Sequence, residues 1–237
     1  MANRSKKYEE IAKMVEPGKE YQPEEAVNLI KETARANFDE TVELHLRMGL
    51  DPRQATQQVR GVALLPFGLG KPVRVAVFAQ GDASKSAEQA GADFVGADDL
   101  VKRVEEGFTE FDVAIATPDM MSKVGKLGRV LGRKGLMPNP KSGTVVAAAD
   151  LSRVINESRK GRVEFKLDKQ AIIHVPVGKS SFAAEKISGN LAAIMEAIVR
   201  AKPSGAKGQY IRSATLTSTM GPGISMDVKA ASAMTTA

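Results

Sequence analysis

Two short clusters of glycine, proline and basic residues divide this chain, and the sequence between them differs from the sequence on either side. The clusters are Pro66-Phe-Gly-Leu-Gly-Lys-Pro72 and Arg159-Lys-Gly-Arg162, and residues of these types interrupt regular structure. Between them, short apolar runs at 73–79, 94–95 and 113–116 alternate with polar segments of helix length. Such runs are typical of parallel strands that are covered on both faces. The middle of the chain is therefore predicted to form a small α/β domain.

The flanking segments carry a pattern that predicts strands with one face in water. From 41 to 50, apolar residues alternate strictly with Thr41, Glu43, His45 and Arg47. Pro23 and the two glutamates after it predict the start of a helix. Further strands are predicted at 61–65, 163–167, 172–177 and 210–219, a helix at 181–201, and a frayed tail from 229.

Two domain arrangements fit these patterns. Either three small units follow one another, or a central domain is inserted into a loop of a discontinuous outer one. We favour the insertion, because residues 1–67 contain one clear helix and two clear strands, too few for a stable core. The predicted domains are therefore 1–67 plus 160–237, of α+β class, and 68–159, of α/β class.

The residues that most enzymes and metal sites need are absent or poorly placed. The chain has no cysteine, which excludes disulfides, thiolate zinc sites, iron–sulfur clusters and cysteine nucleophiles. His45 and His174 have no partner at metal-site spacing along the sequence. Gly178-Lys-Ser lacks the first glycine of a phosphate-binding loop, and Gly68-Leu-Gly lacks the third glycine of a dinucleotide fingerprint. We therefore expect no enzymatic activity, cofactor, metal or small-molecule substrate, with a nucleotide-binding enzyme built on the middle domain as the alternative.

Charge and hydropathy are typical of a soluble cytoplasmic protein, and the basic charge is compatible with a polyanionic partner without establishing one. No stretch reaches the roughly 18 uninterrupted apolar residues of a membrane span. The net charge is +6 and the pI is near 9.4.

Segment 120–149 holds four lysines, two arginines and no acid. Its basic residues recur at helical spacing, but so do Gly125, Gly128, Gly132 and Gly135. Each glycine costs a helix up to about 1 kcal/mol, which favours a loop or a close approach of the backbone to another group. Composition leaves a solvated charged face and a polyphosphate-binding surface equally open.

Hydroxyl and polar side chains also alternate along the last predicted strand. These side chains are Ser213, Thr215, Thr217 and Thr219. Like the solvent-facing residues of the first strand, they combine hydrogen-bond donors and acceptors with little net charge. If the two strands are neighbours, such a surface suits RNA sugars and base edges, with Lys166, Lys169 and Arg212 neutralising phosphates. An ordinary exposed strand face rich in threonine is the alternative interpretation.

Three segments carry a resemblance to a known family. They are Phe38-Asp-Glu-Thr-Val-Glu43, Gly128-Arg-Val-Leu-Gly-Arg-Lys-Gly-Leu-Met-Pro-Asn-Pro-Lys141 and Ser218-Thr-Met-Gly-Pro222. With them the chain resembles the bacterial large-subunit ribosomal protein L-one family, over nearly its whole length. The resemblance implies a discontinuous first domain that binds large-subunit rRNA, and an inserted Rossmann-like second domain joined to it by a hinge.

The resemblance also implies a function and partners. Members of the family are structural constituents of the large subunit at its mobile stalk, assist the release of exit-site tRNA, and repress translation of their own operon mRNA. We expect this chain to be monomeric outside the ribosome. The residues expected to contact RNA are Phe38, Thr41, Glu43, Lys166, Asp168, Lys169, Ser213, Thr217, Thr219, Met220 and Gly221. A second RNA or tRNA surface is expected at Lys123, Lys126, Arg129, Arg133, Lys134 and Lys141.

Overall fold

The computed structural model describes residues 5–234, which divide into two compact units of mixed α and β structure. One unit joins the chain up to Gly70 with the chain from Val163, and the other is Lys71–Arg162. The boundaries thus fall at Gly70 and Arg162 rather than at 67 and 159. Both lie in or directly beside the glycine-containing clusters of the sequence.

Helices and strands are interspersed along residues 5–234. The helices are α1 Lys6–Ala12, α2 Pro23–Thr33, α3 Asp82–Gln89, α4 Asp98–Glu105, α5 Met121–Val124, α6 Gly128–Lys134, α7 Leu151–Lys160, α8 Ala184–Arg200 and α9 Val228–Ala233. The strands are β1 Thr41–Met48, β2 Arg60–Leu64, β3 Val75–Phe78, β4 Phe94–Gly96, β5 Val113–Ala116, β6 Arg162–Lys166, β7 Ile172–Lys179, β8 Ile211–Ser218 and β9 Ile224–Met226.

The discontinuous unit is built on a four-stranded sheet with the order β7-β1-β8-β9, in which all neighbours are antiparallel. The first predicted strand is central, and it pairs on both sides with strands from the second half of the chain. Its apolar residues are buried against α2 and α8, as the alternating pattern predicts. A separate pair of strands, β2 and β6, belongs to the same hydrophobic core.

The inserted unit is a three-stranded parallel sheet with the order β4-β3-β5. All four residues of β3 are fully buried, because helices cover both faces of the sheet. Apolar residues of α3 and α7 pack on one face, and those of α4, α5 and α6 pack on the other. The parallel arrangement predicted from the short apolar runs is therefore confirmed.

The carboxy-terminal end differs from the prediction of a frayed tail. Residues from Val228 form α9, and the side chain of Asp227 caps this helix by accepting a hydrogen bond from the Lys229 N–H. Ala231 is fully buried against the core of the discontinuous unit. The small side chains of this segment allow the helix to pack closely on the core. The last three residues of the predicted tail lie outside the described part of the chain.

Candidate nucleic-acid interface

One side of the four-stranded sheet carries polar side chains in rows that cross the strands. Successive residues of a strand point to opposite faces, so burial of one set leaves the other set outside. The register aligns His174, His45, Thr215 and Ser225 in one row across all four strands. Adjacent rows pair Glu43 with Thr217, and Arg47 with Ser213. We call this set the polar face: Glu43, His45, Arg47, His174, Ser213, Thr215, Thr217 and Ser225.

The two histidines are remote in sequence but lie opposite each other on β1 and β7. Their Nδ1 atoms are 2.7 Å apart, so one ring donates a hydrogen bond and the other accepts it. Burial lowers the pKa of His45, His174 lowers it further, and Glu43 opposes both effects. The two histidines, which have no partner at metal-site spacing along the sequence, are therefore partners of each other in the fold. Only the strand register, which sequence spacing does not reveal, creates this pair.

At one end of the polar face, two loops from opposite ends of the chain are bonded together. We call them the motif loops, residues 36–41 and 218–222. The buried carboxylate of Glu40 accepts hydrogen bonds from the backbone N–H of Ala36, at 2.9 Å, and of Met220, at 2.8 Å. The Thr219 hydroxyl accepts a hydrogen bond of 3.0 Å from the Thr41 N–H and donates one of 3.3 Å to the Thr41 carbonyl oxygen. The first and last family-like segments therefore meet at one place.

A third segment supports the first motif loop. The Asp39 carboxylate accepts hydrogen bonds from the Ser181 hydroxyl, at 2.9 Å, and from the Ser180 hydroxyl and the Ser181 N–H, each at 3.1 Å. Burial raises the pKa of Asp39, but the hydrogen bonds from Ser181 and Ser180 outweigh it and hold the pKa below its usual value. Lys179 donates to the Thr41 hydroxyl at 3.0 Å. The backbone that presents Phe38 is thus fixed on both sides.

The motif loops present two large apolar side chains to solvent. Phe38 is 55% exposed and Met220 is 62% exposed. Gly221 follows directly, at a point where a Cβ atom would overlap the Ser218 hydroxyl oxygen. A Cβ atom at Gly221 fits only if the Ser218 hydroxyl turns away or the loop shifts. Exposed aromatic and thioether groups held on a fixed backbone are suited to stacking against unpaired bases.

The predicted contacts Lys166, Asp168 and Lys169 lie where β6 leads into β7. The Asp168 carboxylate fixes this turn by accepting hydrogen bonds from the backbone N–H of Ile172, at 2.7 Å, and of Gln170, at 2.8 Å. Burial raises the pKa of Asp168, but the hydrogen bonds from Ile172 and Gln170 lower it below its usual value. Both lysines are exposed beside the edge strand of the polar face.

The predicted RNA contacts are therefore distributed over one connected surface. At the motif loops lie Phe38, Thr41, Thr219, Met220 and Gly221. On the polar face lie Glu43, Thr217 and Ser213, the first two of them next to the motif loops. At the edge of the polar face lie Lys166, Asp168 and Lys169. Sequence analysis missed Glu40 and Asp39, whose hydrogen bonds hold the first loop. That these side chains contact RNA stays a prediction.

The basic segment of the inserted unit is helical, so the prediction of a glycine-opened loop is wrong. Helix α5, a 3-10 turn at Gly125–Leu127 and helix α6 follow one another without interruption. Gly125 and Gly128 have φ values of −56° and −54°, which any residue adopts. The reason is the buried set Val124, Leu127 and Leu131, because its packing outweighs the low helix propensity of glycine. Gly135, with a positive φ of 72°, ends α6.

The basic side chains of this segment fall into two groups. Lys123 forms an ion pair of 2.6 Å with Asp98, and Lys134 donates a hydrogen bond to the Thr109 hydroxyl. Lys126, Arg129 and Arg133 are exposed on the helical surface and form no ion pair within residues 5–234, and Lys141 is exposed in a following turn. Of the six predicted residues, Lys123 is the one whose charge is compensated by an ion pair within residues 5–234, because the hydroxyl that Lys134 contacts is neutral.

The inserted unit lacks the features of a nucleotide site. The loop after β3 is short, and α3 begins at Asp82, whose side chain is 98% exposed. A carboxylate in the first turn opposes a phosphate at the same helix end.

Residues 5–234 contain no cluster of three or more histidine or acidic side chains suited to a metal ion. No helix within that range is long and apolar enough to cross a membrane.

Comparison with known proteins identifies the family. The sequence model of the ribosomal protein L1p/L10e family matches residues 30–222. A large ribosomal subunit protein uL1 of Dehalococcoides mccartyi is 62% identical over 234 residues, which cover 99% of each chain. The protein of the same name from Chloroflexus aggregans is 58% identical over 231 residues, 97% of this chain and 98% of its own. These relatives are named as ribosomal proteins rather than enzymes, which removes the nucleotide-binding enzyme as an interpretation. The polar face, the motif loops and this match along the chain agree, and the chain belongs to the ribosomal protein L1p/L10e family.

Proposed function

We propose that this chain is a structural constituent of the large ribosomal subunit and binds large-subunit rRNA through its polar face and motif loops. The observation that carries the proposal is the Glu40 carboxylate, which joins the family-like segments around Phe38 and Met220. These segments lie at opposite ends of the sequence, yet the fold presents them as one surface. A surface made from both chain ends requires the discontinuous unit to be intact.

The chemistry of the polar face favours structured RNA over an arbitrary polyanion. Its hydroxyl, imidazole, carboxylate and guanidinium groups can both donate and accept hydrogen bonds, as recognition of 2′-hydroxyls and base edges requires. Lys166 and Lys169 lie at one edge and supply charge for phosphates. A purely electrostatic site would instead concentrate lysine and arginine. The expected recognition therefore combines shape and hydrogen bonding with a moderate salt dependence.

We further propose that the inserted unit provides a second surface that meets exit-site tRNA and assists its release. The exposed side chains of Lys126, Arg129 and Arg133 support this role, because they share a rigid helical segment with buried apolar anchors. Such a surface suits the phosphates of a folded RNA without base specificity.

Repression of the chain's own operon mRNA is the third part of the proposal. A surface that recognises RNA by its folded shape will bind any RNA with the same fold. We therefore propose that an mRNA segment folded like the rRNA site competes for the polar face. The chain acts as a monomer outside the ribosome and requires no small-molecule substrate for this competition.

A filter-binding titration tests the primary function. The full chain should bind large-subunit rRNA more tightly than an unrelated RNA of equal length, in excess competitor RNA, and its own operon mRNA should displace the rRNA. Met220→Ala should weaken rRNA binding by about 1–3 kcal/mol without unfolding the protein. Met14→Ala, at an exposed methionine just after α1, is the matched control and should leave the rRNA affinity unchanged. Equal binding of rRNA and unrelated RNA would contradict the proposal.

A further inference from the structure

A cavity of about 470 Å³ lies beside the motif loops, between α1 and the first of them. Its lining includes Tyr8 from α1, Arg35 and Asn37 from the chain before β1, and Phe38 and Met220 from the motif loops. None of the polar-face residues lines it. The cavity is therefore a separate feature at the end of the polar face, and sequence analysis gave no indication of it.

The walls of the cavity combine aromatic, thioether and hydrogen-bonding groups. Phe38 and Met220, which also line it, leave more than half of their surface in water. Leaving so much apolar surface exposed costs free energy that a ligand would recover. Tyr8 contributes a second aromatic ring, and Asn37 and Arg35 contribute polar groups. Nucleobases are recognised by this combination, in which rings stack and side-chain amides or guanidinium groups bond to base edges.

The two walls are held in place before any ligand arrives. Glu40 lines the cavity and is only 1% exposed, and its two carboxylate oxygens accept hydrogen bonds from Ala36 and Met220. One carboxylate therefore sets the spacing between the segments that carry Phe38 and Met220. A preformed site loses less conformational entropy when it binds than a site that must first be ordered.

The charge of the lining discriminates between the parts of a nucleotide. Among the described residues of the lining, Glu10 and Glu40 carry negative charge and Arg35 carries positive charge, so a phosphate group would meet more negative than positive charge there. A base is neutral and has no such penalty. The exposed carboxylate of Glu10 can accept a hydrogen bond from an exocyclic amino group, which adenine, cytosine and guanine carry and uracil lacks. Glu40 is buried and already accepts two backbone hydrogen bonds, so it acts as a spacer rather than as a base acceptor. The volume also lies within the range of small-ligand pockets.

We propose that this cavity takes one unpaired RNA base that carries an exocyclic amino group, with Tyr8 as a stacking partner. The proposal rests on the rRNA binding proposed above and adds a position where one nucleotide leaves the folded RNA and enters the protein. Phosphates of the same RNA stay outside, near the lysines at the edge of the polar face.

Chemical probing of large-subunit rRNA bound to the full chain tests the proposal. Dimethyl sulfate and kethoxal together report unpaired adenine, cytosine and guanine. With the wild-type chain we expect one such base to be protected, and with Tyr8→Leu that base alone should become reactive again while the remaining footprint persists. The affinity should fall about tenfold, the size of one lost aromatic–base stack. Tyr8→Phe keeps the ring and should retain the protection.

Met14→Ala is the matched control, because Met14 is an exposed apolar residue just after α1 that does not line the cavity. It should leave the footprint and the affinity unchanged. An unchanged footprint with Tyr8→Leu would overturn the base-binding proposal, and so would uniform weakening at every protected position. Absence of any footprint with the wild-type chain would instead refute rRNA binding itself, so the two failures are distinguishable.

Discussion

The Glu40 carboxylate makes a prediction that separates the stability of the motif loops from RNA contact. This side chain is 1% exposed and accepts one hydrogen bond on each oxygen, from Ala36 and from Met220. A hydrogen bond to a charged group contributes about 1.5–3 kcal/mol, and an unsatisfied buried N–H adds a penalty when the acceptor is removed. Water that enters the vacated space can hydrogen-bond to one of the two N–H groups and so reduces this penalty. We therefore expect Glu40→Ala to lower the free energy of unfolding by about 4 kcal/mol.

Glu40→Gln should have a smaller effect, because it preserves the shape and one acceptor. Its amide nitrogen must face one of the two N–H groups, so the expected loss is about 2 kcal/mol. Urea unfolding followed by circular dichroism measures both values. Glu32→Gln, a substitution of an exposed glutamate on α2, should change the free energy of unfolding by no more than about 0.5 kcal/mol.

The rRNA affinity of the Glu40 variants should fall even under conditions in which the protein stays folded. Phe38 and Met220 would then no longer be held at a fixed spacing, and ordering them would cost part of the binding free energy. The number of phosphate contacts would not change, so the dependence of affinity on salt should keep its slope. A loss of stability below about 1 kcal/mol for Glu40→Ala, or an unchanged rRNA affinity, would refute the reasoning.

Three further perturbations follow from the structure. Gly221→Ala introduces a Cβ that overlaps the Ser218 hydroxyl, so the free energy of unfolding should fall by about 1–3 kcal/mol in urea titrations. Gly128→Ala, at a glycine with a φ of −54° and no heavy atom within 4 Å of the added Cβ, is the control and should not lower the free energy of unfolding. Folding lowers the pKa of His45 from 6.5, so the unfolded state binds more protons than the folded state below that pH. The contribution of His45 to stability is therefore complete above about pH 6.5 and is lost as the pH falls. His45→Gln should reduce this loss of stability at low pH, measured by thermal unfolding. Lys126→Ala with Arg133→Ala should weaken tRNA binding in filter assays and leave rRNA affinity nearly unchanged; equal losses for both RNAs would contradict separate surfaces.

The alternating pattern from 41 to 50 was sufficient to predict the central strand, because period-two burial is a local property of a sheet with one wet face. The parallel sheet of the inserted unit was equally predictable, since both of its faces are covered and its strands are continuously apolar. Both results depend only on residues close together in the sequence.

The features that were missed depend on contacts between distant segments. Glu40 precedes a strand and resembles an ordinary surface glutamate until the loop at Met220 encloses it. The pairing of His45 with His174 depends on the register of β1 and β7. In the basic segment, glycine propensity was given too much weight, because the buried residues Leu127 and Leu131 determine the helix. Local patterns thus predict elements, whereas the details of the site arise from tertiary packing.

Ultraviolet crosslinking of the full chain to large-subunit rRNA, with the crosslinked peptides located by mass spectrometry, tests the central claim most directly. Recognition by the polar face and motif loops predicts crosslinks in residues 36–47 and 213–221, on two segments that β1 and β8 bring side by side. Crosslinks confined to the basic helical segment of the inserted unit, with none on either segment of the sheet, would contradict the account.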